Sequence, residues 1–141
     1  MEALDAAALP EGALVLVDSA PIIYVLEGHS RLAARFAPLF ERHARGGIAL
    51  AVTTVTLAEV MTGPLAAGEE ALARRYRATL ETWRMVDFDS DIAEHAARLR
   101  ATYRLKLPDA IQLASALSIN ADALVTHDRD FEQVRGLRIL M

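Results

Sequence analysis

The chain has 141 residues, of which 53% are hydrophobic and none is cysteine, and its formal net charge is −4. That length suits one domain with a sizeable core, the composition excludes a disordered chain, and the lack of cysteine excludes disulfides and thiolate metal sites. No apolar run approaches the ~20 residues of a membrane span, and the acidic start Met1-Glu2-Ala3-Leu4-Asp5 lacks the basic region of a secretory signal, so a cytoplasmic protein is expected.

Residues 1–12 are rich in alanine, include Pro10 and Gly12, and read as a flexible lead-in to a single domain over 13–141. Ala13-Leu14-Val15-Leu16-Val17 is a short, continuous apolar run, the pattern of a strand buried on both faces of a parallel sheet. It ends at Asp18. Ser19 then precedes a helix containing Ile22, Ile23, Val25 and Leu26, with Ser19 or Asp18 able to cap it. Residues 30–45 form a second helix, with Pro38 expected to kink or split it. Its arginines, Arg31, Arg35, Arg42 and Arg45, read as a solvated face.

Ile48-Ala49-Leu50-Ala51-Val52 repeats the buried-strand pattern. Thr53 or Thr54 would cap the next helix, which Gly63-Pro64 are expected to close. Glu59 is the one carboxylate in that otherwise apolar helix. A charge so placed needs a partner, a metal or water. Residues 67–84 read as a polar-faced helix, and Met85 to Phe88 as a short strand. Asp87, Asp89 and Asp91 read as turn and cap residues before a helix ending near Tyr103. The next helix, 108–119, opens on Pro108 and Asp109. Proline suits a first turn, and an acid is favoured there by the free N–H groups. Asp122 to Thr126 is a strand leading into His127-Asp128-Arg129-Asp130-Phe131, and Leu137 to Leu140 is the last strand. Strands alternate with helices throughout. This predicts a three-layer α/β/α domain with a central parallel sheet of four to five strands.

Open α/β sheets bind ligands at the carboxyl ends of their strands. Asp18, Glu59, Asp109 and Asp128 can all reach such an edge, with Asp130 close by. Two carboxylates ~4 Å apart repel by roughly 4 kcal/mol at an effective dielectric near 20. Several together therefore need raised pKa values or bound cations. Oxygen ligands without cysteine or a nearby histidine pair point to Mg²⁺ or Mn²⁺. Acids, divalent ions and no nucleophilic side chain suggest phosphodiester hydrolysis.

Val17-Asp18-Ser19, Ala58-Glu59-Val60, Leu107-Pro108-Asp109-Ala110 and Val125-Thr126-His127-Asp128-Arg129-Asp130-Phe131, in this order and spacing, resemble a PIN domain of the VapC type, the ribonuclease toxin of bacterial type II toxin–antitoxin pairs. The resemblance runs from Leu14 to Leu140. It implies Asp18, Glu59, Asp109 and Asp128 as metal-binding catalytic acids, with Ser19 and Thr126 supporting them. His127 departs from the family's usual last motif and leaves the choice between Asp128 and Asp130 open. The resemblance also implies an RNA substrate cut to a 5′-phosphate and a 3′-hydroxyl, homodimerisation, and a cognate antitoxin lying in a groove lined by the helices of residues 20–62.

Three rival readings differ in their residues. A phosphoacceptor receiver domain needs a lysine beyond a late strand, and the only lysine, Lys106, precedes a helix. A haloacid-dehalogenase-like phosphatase needs an acid at position 20, which is alanine. A PIN fold that binds RNA or protein without cutting would not need all four acids.

Overall fold

The computed structural model describes residues 2–141. Five strands form one sheet: β1 (Ala13–Val17), β2 (Ile48–Thr53), β3 (Arg84–Val86), β4 (Ala123–Val125) and β5 (Arg138–Leu140). Every neighbouring pair is parallel, and the order across the sheet is β3-β2-β1-β4-β5. The connections are α1 (Ser19–Leu26) and α2 (Ser30–Ala44), then α3 (Thr54–Ala66) and α4 (Glu70–Glu81), then α5 (Ser90–Thr102) and α6 (Leu107–Ser118). The architecture is the expected three-layer α/β/α, with five strands.

Period-two alternation splits the core. Val15 and Val17 of β1, Leu50 and Val52 of β2 and Val125 of β4 pack with Ile22, Phe36, Leu39, Val60 and Leu80 of α1 to α4. Leu16, Ala51 and Leu124, on the other face, pack with Ile92 and Ala96 of α5 and Ala110, Leu113 and Ala114 of α6. Both faces of β1 are thus dry, as its unbroken apolar run requires. Alanines 110, 114 and 116 let α6 lie close against the sheet, and all three have no exposed surface. Among the described residues no helix is long and apolar enough to cross a membrane.

Four local expectations need correction. Gly63-Pro64 do not close α3, which runs on to Ala66. A proline costs the helix one hydrogen bond, and the glycine before it has no Cβ to clash with its ring. Pro64 is buried, so the ring contributes to packing. Pro38 likewise leaves α2 a single helix. The polar helix expected over 67–84 is shorter, α4 alone, and the strand after it begins one residue earlier than expected, at Arg84.

The fourth correction concerns the N-terminal segment. Leu4, Ala6 and Leu9 are buried, and Ala6–Ala8 form a 3-10 turn; Met1 lies outside the described residues. The Leu4 N–H donates to the Arg35 carbonyl at 2.8 Å. The Arg42 guanidinium donates to the carbonyls of Ala6 and Leu9, each at 2.6 Å. Arg42 therefore clamps this segment instead of lying on a solvated face. The alanines that suggested looseness are small enough to pack, and a charged fork can satisfy two buried carbonyls at once.

Leu9→Ala is expected to lower the unfolding free energy by about 2–3 kcal/mol. Leu65→Ala, at an exposed position, is expected to change it by less than about 0.5 kcal/mol. Urea denaturation of the two variants beside the wild type checks both.

Candidate active site

The chain fills the sheet outward from β1 in one direction, through β2 to β3, and then in the other, through β4 to β5. The order reverses between β1 and β4, and in such sheets the reversal opens a crevice at the carboxyl ends of the two strands. A cleft of about 340 Å³ lies there, lined by Asp18, Ser19, Glu59, Asp109 and Asp128 together with Tyr24, His127 and Arg129. The four acids expected to converge do converge.

Asp18 leaves the end of β1 in extended conformation, and its side chain accepts from the Ser19 N–H at 2.8 Å. Asp18 is therefore the cap of α1, and Ser19 is the helix's first residue. The same oxygen, Oδ1, accepts from Gln112 Nε2 at 2.9 Å. Oδ2 accepts from the Thr126 hydroxyl at 2.9 Å. Thr126 has no exposed surface, and its hydroxyl oxygen also accepts from the Asp128 N–H at 3.0 Å. One hydroxyl thus ties the acid after β1 to the loop after β4.

Asp109 sits in the first turn of α6, behind Pro108. It is 9% exposed, and its Oδ2 is buried without a hydrogen-bond partner among the described residues. Its carboxyl is pushed up to about 7, first by burial and then by the negative charges of Asp128 and Asp18, with Lys106 opposing. Glu59 projects from α3 on the exposed side of the cleft. Partial burial and the charge of Asp18 raise its pKa, and Ser19 opposes the rise.

Asp128 caps the 3-10 turn Arg129–Gln133, its Oδ1 accepting from the Asp130 N–H at 2.9 Å. Oxygens of Asp109, Asp128 and Asp130 lie within 4.8 Å of one another. Asp128 lines the cleft, whereas Asp130 is exposed and stands outside it. Asp89 is the cap of α5, as expected, accepting from the Ile92 N–H at 2.8 Å.

The sequence reading passed over Gln112 and Thr56 and gave Thr53 only as a candidate cap of α3, which it is. All three are buried and hydrogen-bonded to one another. Gln112 had a visible signal, a large polar side chain among the apolar residues of α6, the same signal that singled out Glu59. The two threonines had no signal that tied them to the site, because threonine is common at the start of a helix.

The profile of the family described as "PIN domain" matches residues 15–137. Comparison with curated protein sequences found no match. Among solved structures, a toxin–antitoxin complex from Klebsiella pneumoniae is 29% identical, covers 87% of this chain and 94% of its own, and superposes with a TM-score of 0.69. A member of the VapBC family of toxin–antitoxin systems from Mycobacterium tuberculosis is 27% identical, covering 90% of this chain and 97% of its own at a TM-score of 0.55. VapBC from Rickettsia felis, bound to promoter DNA, shares the fold at 17% identity and a TM-score of 0.70, covering 89% of this chain and 96% of its own. With its acids gathered at the reversal of a five-stranded parallel sheet and nearly its whole length matched, the chain belongs to the PIN domain family and resembles, within it, the PIN-domain toxins of VapBC systems.

Proposed function

We propose that this chain is a metal-dependent endoribonuclease and the toxin of a toxin–antitoxin pair. The observation that carries the reading is the Asp109 carboxyl, whose buried Oδ2 lacks a hydrogen-bond partner among the described residues and whose neighbours in the cleft are other acids. A buried polar atom without a partner is costly, and more negative charge around it makes ionisation worse. A divalent cation answers both problems, so the donor set fits Mg²⁺ or Mn²⁺: hard oxygens, no sulfur, and more than one carboxylate. Asp18, Glu59, Asp109 and Asp128 would hold the ion, and Asp130, with an oxygen within 4.8 Å of those of Asp109 and Asp128, is a further candidate ligand. Such an ion supplies charge neutralisation at a scissile phosphate and acidifies water for hydrolysis.

The protein's own groups set the rest. Thr126 and the α1 N-terminus fix Asp18, so that the acid need not reorganise when a substrate arrives. Ser19 presents a hydroxyl to the cleft. Arg129, on the cleft wall, offers a planar fork suited to a phosphate.

The proposed partner is a cognate antitoxin, since the matched Klebsiella pneumoniae structure is a toxin–antitoxin complex. An apolar groove of about 340 Å³, lined by Ile22, Val25, Leu26, Phe40 and Trp83, suits an amphipathic segment. It draws on α1 and α2 but also on Trp83 after α4, so it is wider than the stretch 20–62. A homodimer belongs to the same proposal.

Purified protein is expected to cut total cellular RNA at discrete sites with Mg²⁺ or Mn²⁺. Cutting should stop with EDTA and fall at least about a hundredfold in Asp18→Asn. Intact RNA under every condition, from folded protein free of co-purified inhibitor, would favour a PIN fold that binds without cutting.

The shift at Asp109 gives a second test, in metal-free protein. Its pKa is raised in the fold, so between the unfolded value near 4 and about 7 the native state binds the extra proton. Stability should therefore be highest at the acid end of that window and decline as pH rises through 7. Thermal melts from pH 5 to 8 should show this decline in the wild type and a flatter profile in Asp109→Asn. Added Mn²⁺ should raise the melting temperature more at pH 8 than at pH 5, because protons compete with it for Asp109.

A further inference from the structure

Behind the acids lies a closed hydrogen-bonded chain whose bonds run in one direction. The Thr56 N–H donates to Thr53 Oγ1 at 3.0 Å. The Thr53 hydroxyl, its oxygen already accepting, donates to Gln112 Oε1 at 2.9 Å. That bond decides which end of the Gln112 amide is oxygen. Nε2 must then face the other way, where it donates to Asp18 Oδ1 at 2.9 Å and to Thr56 Oγ1 at 2.6 Å. Thr56 Oγ1 lies 2.9 Å from Ser19 Oγ. Thr56 has no exposed surface, so its proton needs an acceptor, and Ser19 is the one within reach. Ser19 therefore accepts from Thr56 and keeps its own proton for the cleft it lines beside Glu59.

We propose that Gln112 is a positioning residue for this site: its amide, locked by Thr53, fixes the orientation of the Asp18 carboxylate and turns the Ser19 hydroxyl into a donor toward the cleft. An ionised carboxylate has about four acceptor positions. Gln112 and the Ser19 N–H occupy both on Oδ1, and Thr126 occupies one on Oδ2. One position on Oδ2 remains for a ligand. Gln112 is 2% exposed and does not line the cleft, so it acts through Asp18 and Ser19. A merely structural glutamine would need satisfied hydrogen bonds but not this polarity.

This inference rests on the metal-dependent reading above, and the test separates the two. Gln112→Leu removes every bond at similar size. Gln112→Glu keeps the acceptor for Thr53 and removes the donor to Asp18. Thr53→Val unlocks the amide without touching Asp18. Ser115→Ala is the control, since Ser115 is buried in the same helix but its hydroxyl donates only to the Ile111 carbonyl. Mn²⁺ affinity is read by calorimetry and RNA cleavage by steady-state kinetics. Exchange of the Gln112 side-chain amide protons is read by NMR on metal-free protein.

In the wild type the Gln112 amide protons should exchange slowly. Gln112→Leu and Gln112→Glu should bind Mn²⁺ at least about tenfold more weakly, as is usual when the partner behind a ligand is removed. Their kcat should fall at least about tenfold with KM for RNA within about twofold. Thr53→Val should show a smaller loss of the same kind, and it carries the test if the Gln112 variants do not fold. Ser115→Ala should keep wild-type Mn²⁺ affinity. Wild-type affinity and kcat in folded Gln112→Leu, or in Thr53→Val with a fast-exchanging amide, would overturn the positioning role and leave the nuclease reading intact. A wild type that neither binds Mn²⁺ nor cuts RNA would overturn both.

Discussion

The bond from the Thr126 hydroxyl to Asp18 joins residues 108 apart in the chain, and the site depends on the geometry that allows it. Those two residues meet because β1 and β4 are neighbours, with Val17 opposite Val125. The ladder continues past the strand ends, where the Asp18 N–H donates to the Val125 carbonyl at 2.8 Å and the Thr126 N–H to the Leu140 carbonyl at 3.0 Å. Asp18 and Asp128 thus lie just beyond the ends of β1 and β4, Asp109 in the first turn of α6 and Glu59 in the second turn of α3. A site built this way is more rigid than one built on long loops.

Rigidity matters because the arrangement is electrostatically uphill. Repulsion and burial both act on Asp109, and they act in the same direction. The fold tolerates this because the strain is local and the surrounding core is large. On one side α6 packs alanines against the sheet; on the other, α1 to α4 cover it with Phe36, Leu39 and Leu80. The hydrogen-bond partners of Asp18 are all donors, whereas Asp109 Oδ2 has no partner among the described residues and feels the charges of Asp128 and Asp18. Asp18 is stabilised by the protein alone.

Much of this was legible in the residues. Short apolar runs ending in an acid, at Val17-Asp18 above all, announce a buried parallel strand with a carboxylate at its mouth. The alternation of strands and helices then fixes the layers. Asp109 was legible through Pro108, which marks the start of a helix. What escaped was of two kinds. Gly63-Pro64 looked like a stop because propensity is local, whereas burial of the proline ring is decided by helix packing. Arg42 and the segment around Leu9 looked solvated because charge and alanine are read as surface. Only the fold shows that the Arg42 guanidinium donates to the carbonyls of Ala6 and Leu9. Gln112 belongs between these kinds: its oddity in an apolar helix is visible, but its partners, Thr53 and Thr56 at the junction of β2 and α3 and Asp18 at the end of β1, come from two other parts of the chain.

The place of β1 at the middle of the sheet has a further consequence, for the order of events during synthesis. Of the five strands β1 is made first, yet one of its two neighbours, β4, is made fourth. Until β4 docks, one edge of β1 has unpaired N–H and C=O groups, and Asp18 lacks its bond from Thr126. Domains fold as units during synthesis, and parallel pairing between distant strands is slow. A nascent chain that has emerged as far as α6 already carries Asp18, Glu59 and Asp109, but it lacks the strand that draws the crevice together. The acids therefore become a site only when the final strands join the sheet.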